Sequence, residues 1–279
     1  MTRLTSLVFA AATLITVASA VSTATGYQPD PQGFSFVDRF ETFDRSRWKI
    51  SHGWSNGNHQ DCTWYNGNVK FVKGNVDIVL NNERSAERNY TCSEIQSVAR
   101  FGYGTYEVRM RAAAAPGLVS AFFTYAPRSE RWPGQDEIDF EFLGKDPSSV
   151  QLNYFAEGTG ENRHDVALGF DASMTVNDYA FEWLPDSIRW YVNGKMVHEV
   201  KKTDTKFPKR DSKIVLSIWN GVGRDMDSWL GRFNYPGKPL TVSFELVAFT
   251  AAGNPCQFDG SIVCKQRPAP VQDMPGAHR

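Results

Sequence analysis

One short run of alternating charge and bulk constrains this chain more than any other stretch. From Asp136 to Phe142 the sequence reads Asp-Glu-Ile-Asp-Phe-Glu-Phe. Successive side chains on a strand point to opposite faces, so Glu137, Asp139 and Glu141 share one face while Ile138, Phe140 and Phe142 share the other. An amphipathic strand with solvated acids is the plain reading. The chemical reading starts from the outward face, which is all acid, with no Lys, Ser or Thr among its residues. Adjacent like charges repel, and burial drives carboxylates toward their neutral form, so folding gains nothing from such a row. Cleavage of a glycosidic bond does need it: an ionised nucleophile, a protonated acid, and a neighbour that holds their charges apart.

Short alternating segments recur along the chain, at 76–80, 104–110, 188–192, 214–218 and 241–247, with Gly, Pro, Asn and Asp between them. Asn193-Gly194 between two such segments predicts a two-residue hairpin. No stretch holds a helical period and aromatics reach 13%, which predicts an all-β class. Many short strands at this length imply a two-sheet sandwich or a barrel. With 279 residues, 41% hydrophobic content and a formal charge of -1, one large domain with a substantial core is expected. Near neutrality speaks against a nucleic-acid surface or an electrostatically held membrane partner.

The ends read differently. Arg3 precedes an apolar run over 4–17 that closes on Ala18-Ser19-Ala20, the layout of a secretory signal cleaved after Ala20. The run is shorter than the ~20 residues a spanning helix needs, so a soluble mature protein is expected. Residues 21–33 read as a leader, 34–253 as the domain, and 254–279 as a tail, disordered from about Lys265. Four cysteines in an exported chain are read as disulfides, with three pairings open; Cys256 and Cys264 suit a local loop closure. Zinc ligation would call for a C-x-x-C spacing that is absent. His52, His59, His164, His198 and His278 show no metal spacing either and read as surface or loop residues.

The run Asp136-Glu137-Ile138-Asp139-Phe140-Glu141-Phe142-Leu143-Gly144 resembles the active-site strand of the bacterial lichenases, within glycoside hydrolase family 16. The likeness continues, in the same order, through Trp54-Ser55-Asn56-Gly57-Asn58, Cys62-Thr63-Trp64, Tyr103-Gly104-Thr105-Tyr106-Glu107-Val108, Phe122-Phe123-Thr124-Tyr125, Leu168-Gly169-Phe170-Asp171-Ala172-Ser173, Tyr179-Ala180-Phe181-Glu182-Trp183 and Trp219-Asn220-Gly221. It covers about 34–250. The resemblance implies a β-jelly roll whose concave sheet forms a substrate cleft, a Cys62–Cys92 disulfide, and retention through a covalent glycosyl-enzyme intermediate. It also implies roles: Glu137 as nucleophile, Glu141 as general acid and then base, and Asp139 as the hydrogen-bonding neighbour between them. Expected sugar contacts are Trp54, Asn56, Glu94, Phe123, Tyr125, Asn153 and Trp219, while Trp64, Trp183, Trp190 and Trp229 read as structural. No cofactor is implied for catalysis. A structural calcium ion is, with Glu245 and the backbone carbonyls of Gly74 and Arg39 as ligands. On a flat strand the Cα atoms of Glu137 and Glu141 lie about 13 Å apart, so curvature and side-chain lean must bring their carboxyls to one bond.

Departures from the lichenase pattern fall in the cleft. Gln135 stands where those enzymes carry Trp, with Trp132 nearby, and Gln96 replaces Arg, Phe155 Tyr, Ser217 Asn, and Trp54 Tyr. A related set of bacterial enzymes trims exopolysaccharides such as succinoglycan. The chain is therefore expected to be a secreted, monomeric, retaining endo-β-glycanase acting on β-1,3-1,4-linked glucan or such an exopolysaccharide. Xyloglucan or β-1,3-glucan activity is the alternative within the class, and a lectin-like carbohydrate-binding module without catalysis the alternative outside it.

Overall fold

The computed structural model describes residues 32–266, apart from 73, 86, 161, 204 and 205. The expected signal, most of the leader and the end of the tail lie outside the described residues. Strands come first along the chain as β1 (Phe36–Asp38), β2 (Trp48–Ile50), β3 (Cys62–Trp64), β4 (Val69–Val72), β5 (Asn75–Leu80), β6 (Tyr90–Ser97), β7 (Gly104–Arg111) and β8 (Leu118–Ala126). They continue as β9 (Asp136–Leu143), β10 (Ser149–Phe155), β11 (His164–Ala167), β12 (Asn177–Trp183), β13 (Ser187–Val192), β14 (Lys195–Lys201), β15 (Lys213–Asn220) and β16 (Leu240–Ala251).

These strands form two sheets. The back sheet runs β14-β13-β12-β7-β16-β5-β4 with β1 against β16, and the cleft sheet runs β11-β10-β9-β8-β15-β6-β2 with β3 beside β6. All pairings are antiparallel except that of β3 with β6. Only a sandwich gives both sheets an inner face, and period-two alternation fills it: Ile138, Phe140 and Phe142 of β9 are almost fully buried. Their rings meet the back sheet, Phe142 lying 4.8 Å from Tyr179 and Phe140 5.7 Å from it. Aromatic side chains bury about 150–250 Å² each, so this layer supplies much of the apolar burial that holds the sheets together. Trp64, Trp183 and Trp190 are buried there as expected. The Trp190 indole N–H also donates to the Asp139 carbonyl at 3.2 Å, tying the back sheet to the acidic strand.

Local chemistry sets the turns. Asn193 and Gly194 take φ of 49° and 80° between β13 and β14, the left-handed pair that a tight hairpin requires. Before β9, Gly134 passes so close to the β10–β11 loop that a Cβ on it would lie 2.0 Å from the Glu157 carbonyl carbon. Two short helices were not anticipated: α1 (Arg224–Leu230), held between Gly223 and Gly231, and α2 (Ile262–Gln266). The described residues end at Gln266, the last residue of α2, and the rest of the expected tail lies outside them. Both disulfides form, Cys62 with Cys92 and Cys256 with Cys264. The tail loop packs on the back sheet, where Glu107 accepts hydrogen bonds from Ser261 Oγ at 2.6 Å and Ile262 N at 2.8 Å. Among the described residues no helix is long and apolar enough to cross a membrane.

Candidate active site

Register decides which side chains surround the acids. Within the cleft sheet β9 lies between β8 and β10, so Glu137 faces Tyr125 and Phe155, Asp139 faces Phe123 and Asn153, and Glu141 faces Ala121 and Gln151. Glu137, Asp139 and Glu141 line one cleft of about 500 Å³, on the face away from the core. Phe123 and Tyr125 of β8, Trp219 of β15 and Glu94 of β6 extend its wall, and the loop after β2 adds Trp54 and Asn56. Six of the seven expected sugar contacts thus share the cleft with the acids. Asn153 is not in its lining. It is nonetheless on the same sheet face as Asp139, 3% exposed, and its Oδ1 has no hydrogen-bond partner among the described residues.

Burial is the largest influence on the electrostatics of all three acids. Burial pushes the Glu137 carboxyl up to about 8, with the charge of Glu141 adding to the rise and a hydrogen bond to Asp139 opposing it. Asp139 is held well above the ordinary range by burial first and then by the charges of both glutamates. Burial pushes Glu141 up to about 7, opposed by the guanidinium of Arg163. Three acids in this setting keep protons at neutral pH that exposed carboxylates would have lost. Glu94 is raised by burial as well, against hydrogen bonds from Ser51 Oγ and Gln96 Nε2, each 2.6 Å from its Oε1.

Asp136, the fourth acid of the run, has the opposite fate because its parity puts it on the inner face. Its carboxylate accepts hydrogen bonds from Glu157 N at 2.8 Å, Lys209 N at 3.0 Å and Arg210 N at 3.2 Å, and it pairs with the Arg210 guanidinium. Burial works against its charge, but the Arg210 and backbone donors win and hold it below the usual carboxylate range. Asp136 anchors the strand; it does not enter the cleft.

Some cleft residues escaped the sequence reading. His59, read as a loop residue, lines the cleft with its ring edge-on to Trp219 at 5.7 Å, and burial together with Arg88 lowers its affinity for a proton. Outside the lining, Trp229 is half-buried and stands beside Trp219 at 6.2 Å. Of the departures from the lichenase pattern, Gln96 and Gln135 line the cleft, Phe155 lies opposite Glu137, and Ser217 is buried in β15. Trp132 stays outside the lining, among Arg131, Lys209 and Arg210. On the other sheet, Glu245 is exposed at the point where the register of β16 on β7 shifts. Among the described residues no three acidic, His or Cys side chains gather into a metal site.

Known proteins resemble this chain along most of its length. A profile of glycosyl hydrolases family 16 matches residues 56–237. The endo-1,3-1,4-beta-glycanase ExoK of Rhizobium meliloti is 46% identical over 233 residues, covering 83% of this chain and 84% of that protein. The beta-glucanase of Bacillus subtilis is 41% identical over 219 residues, covering 78% and 87%. Among solved structures, the Bacillus licheniformis beta-glucanase superposes with a TM-score of 0.71 at 40% identity, covering 78% of this chain and 98% of that one. With its two-sheet fold, its acidic strand and these relatives, the chain belongs to glycosyl hydrolases family 16 and is a glycoside hydrolase.

Proposed function

We propose that the chain is a retaining endo-β-glycanase that cuts β-1,3-1,4-linked glucan or an exopolysaccharide with such links. The observation that carries this reading is the set of three carboxyls on one cleft face, with Asp139 hydrogen-bonded to Glu137 and every proton affinity raised. Taken one at a time, the values near 8 and 7 would ionise Glu141 before Glu137. We assign the first charge to Glu137, because a protonated Asp139 donates to it and that hydrogen bond is strongest with an ionised acceptor. The charge on Glu137 then holds the proton on Glu141.

The chemistry follows. Glu137 attacks the anomeric carbon while Glu141 protonates the departing glycosidic oxygen, leaving a glycosyl ester on Glu137. Glu141, now ionised, takes a proton from water, whose oxygen displaces Glu137 and restores both acids. Every proton moves between the acids, water and sugar, so the reaction calls for no cofactor. Trp54, Phe123 and Trp219 offer flat apolar faces to sugar rings, and Asn56, Glu94, Gln96 and Tyr125 offer polar groups to hydroxyls. Gln96 and Gln135 in the cleft support a substrate range that differs from strict mixed-linkage preference.

Parallel digests of barley β-glucan, lichenan, laminarin, xyloglucan and succinoglycan, with the first product anomer read by NMR, test this. New reducing ends of β configuration from a mixed-linkage polymer or succinoglycan are expected. No product from any of them, or a first product of α configuration, would sink the proposal. Two further elements belong to the same reading. The pair of disulfides suits an oxidising compartment, in line with secretion of a monomer after cleavage near Ala20. Calcium at Glu245, with the carbonyls of Gly74 and Arg39, is supported by a carboxylate that has no hydrogen bond or ion pair among the described residues, though Arg109 faces its charge. A chelator that lowers Tm, with recovery on added Ca²⁺, is the expected sign; an unchanged Tm counts against the site.

A further inference from the structure

On the β10–β11 side of the acids stands a cation, Arg163, whose charge reaches Glu141 but which forms no ion pair among the described residues. Arg163 precedes β11, and its guanidinium lies over the Trp229 ring, 5.1 Å from the centroid. Trp229 is itself fixed, with its indole N–H donating to Gln151 Oε1 at 3.0 Å and its ring beside Trp219 of the cleft wall. Because Leu152 pairs with His164, Arg163 stands next to Asn153, which in turn pairs with Asp139. Arg163 forms no ion pair among the described residues, whereas Arg47, Arg109, Arg189 and Arg210 each hold a carboxylate.

Two groups therefore stand side by side: Asn153 Oδ1, a buried acceptor with no donor among the described residues, and Arg163, an exposed guanidinium with no protein acceptor among them. A sugar hydroxyl meets the first. Only an anion meets the second fully, since a guanidinium pairs with a carboxylate through two parallel hydrogen bonds. A polysaccharide laid across the strands would pass over both.

We propose that Arg163 is a specificity-determining residue, binding a carboxylate-bearing substituent on the sugar chain over β10 and β11, so that the preferred substrate class is an acidic β-glycan. The inference rests on the endo-glycanase reading of the cleft and deepens it. Arg163 does not take part in bond cleavage; its role is to choose among chains.

Mixed-linkage β-glucan carrying carboxymethyl groups, compared with the same glucan carrying uncharged hydroxyethyl groups at equal substitution, isolates charge from bulk. For the wild-type chain kcat/KM should favour the carboxymethyl polymer by about fivefold at low salt, in the range of a partly exposed ion pair. The ratio should fall to about one in Arg163→Ala, invert in Arg163→Glu, and flatten in 0.5 M NaCl, for which the Debye length is only a few ångströms. Because the ratio compares two substrates of one enzyme, it cancels any change in folding or in Glu141. No preference in the wild type, a preference for the hydroxyethyl polymer, or one that survives in Arg163→Glu overturns the inference while leaving the glycanase intact. Failure to cut even the unmodified glucan removes the mixed-linkage reading and this inference with it.

Discussion

Each sheet carries a group of three charged side chains, and the two groups are built on opposite plans. On the back sheet Arg189 sits between Glu182 at 2.8 Å and Glu199 at 2.7 Å. Its hydrogen bond pulls Glu199 below the usual carboxylate range, and the two acids raise Arg189 further still. On the cleft sheet Glu137, Asp139 and Glu141 form no ion pair with a cation among the described residues, and all three are raised. The first plan makes charge permanent. The second keeps protons exchangeable near neutral pH, which is what an acid that must give up and regain a proton requires. A strand laid out for the second plan gives up stability that the first would have kept.

The largest test of that contrast is Glu137→Gln. Loss of the nucleophile should lower kcat by at least about 10³-fold, while Tm at pH 8 stays equal or rises because a destabilised charge is gone. Reducing-sugar assays and thermal unfolding read the two effects. A folded variant that keeps its activity would remove the assignment of Glu137.

Next in size is the pH dependence of stability. A carboxyl raised in the folded state contributes stability that is present below its unfolded value near 4.5 and lost as pH climbs through its folded value. The acidic strand should thus lower Tm by several degrees between about pH 5 and pH 8, on the scale of ~2–4 °C per kcal/mol for a domain of this size. Activity should decline over the upper part of the same window as Glu141 loses its proton. Asp136 and Glu199, both lowered, act in the reverse sense and lose their contribution only as pH falls below the ordinary carboxylate range. A Tm that is flat from pH 5 to 8 would contradict the raised set. The smallest effect belongs to the back sheet: in the same titration Arg189→Met should leave activity unchanged and shift Tm by no more than about 3 °C.

Much of this was legible beforehand, for reasons that particular residues make plain. Alternation over 136–142 announced both the strand and the parity of its acids, and Asn193-Gly194 announced a hairpin whose left-handed angles few other residue pairs adopt. The motif did not reveal that Asp136 leaves the acidic face, yet its even position already aligned it with Ile138. At seven residues α1 spans too few turns for a period to register, so the helix that carries Trp229 went unannounced. Along β16 the register slips after Phe244, and alternation read across that bulge changes phase. His59 and Arg163 come from loops, and no local pattern tells where a loop will be laid against a sheet.

The pairing of β1 with β16 sets Phe36 opposite Phe249, joining strands from the two ends of the domain. During synthesis the first strand lacks its β16 partner until nearly the whole domain has emerged, and the loop that follows the last strand is latched to Glu107 later still. The back layer therefore cannot close piecemeal. Assembly must wait on its most distant contacts, a slow route by the usual relation between sequence separation and rate. A fragment ending before Leu240 would be left with unpaired edges on β5 and β7, prone to association.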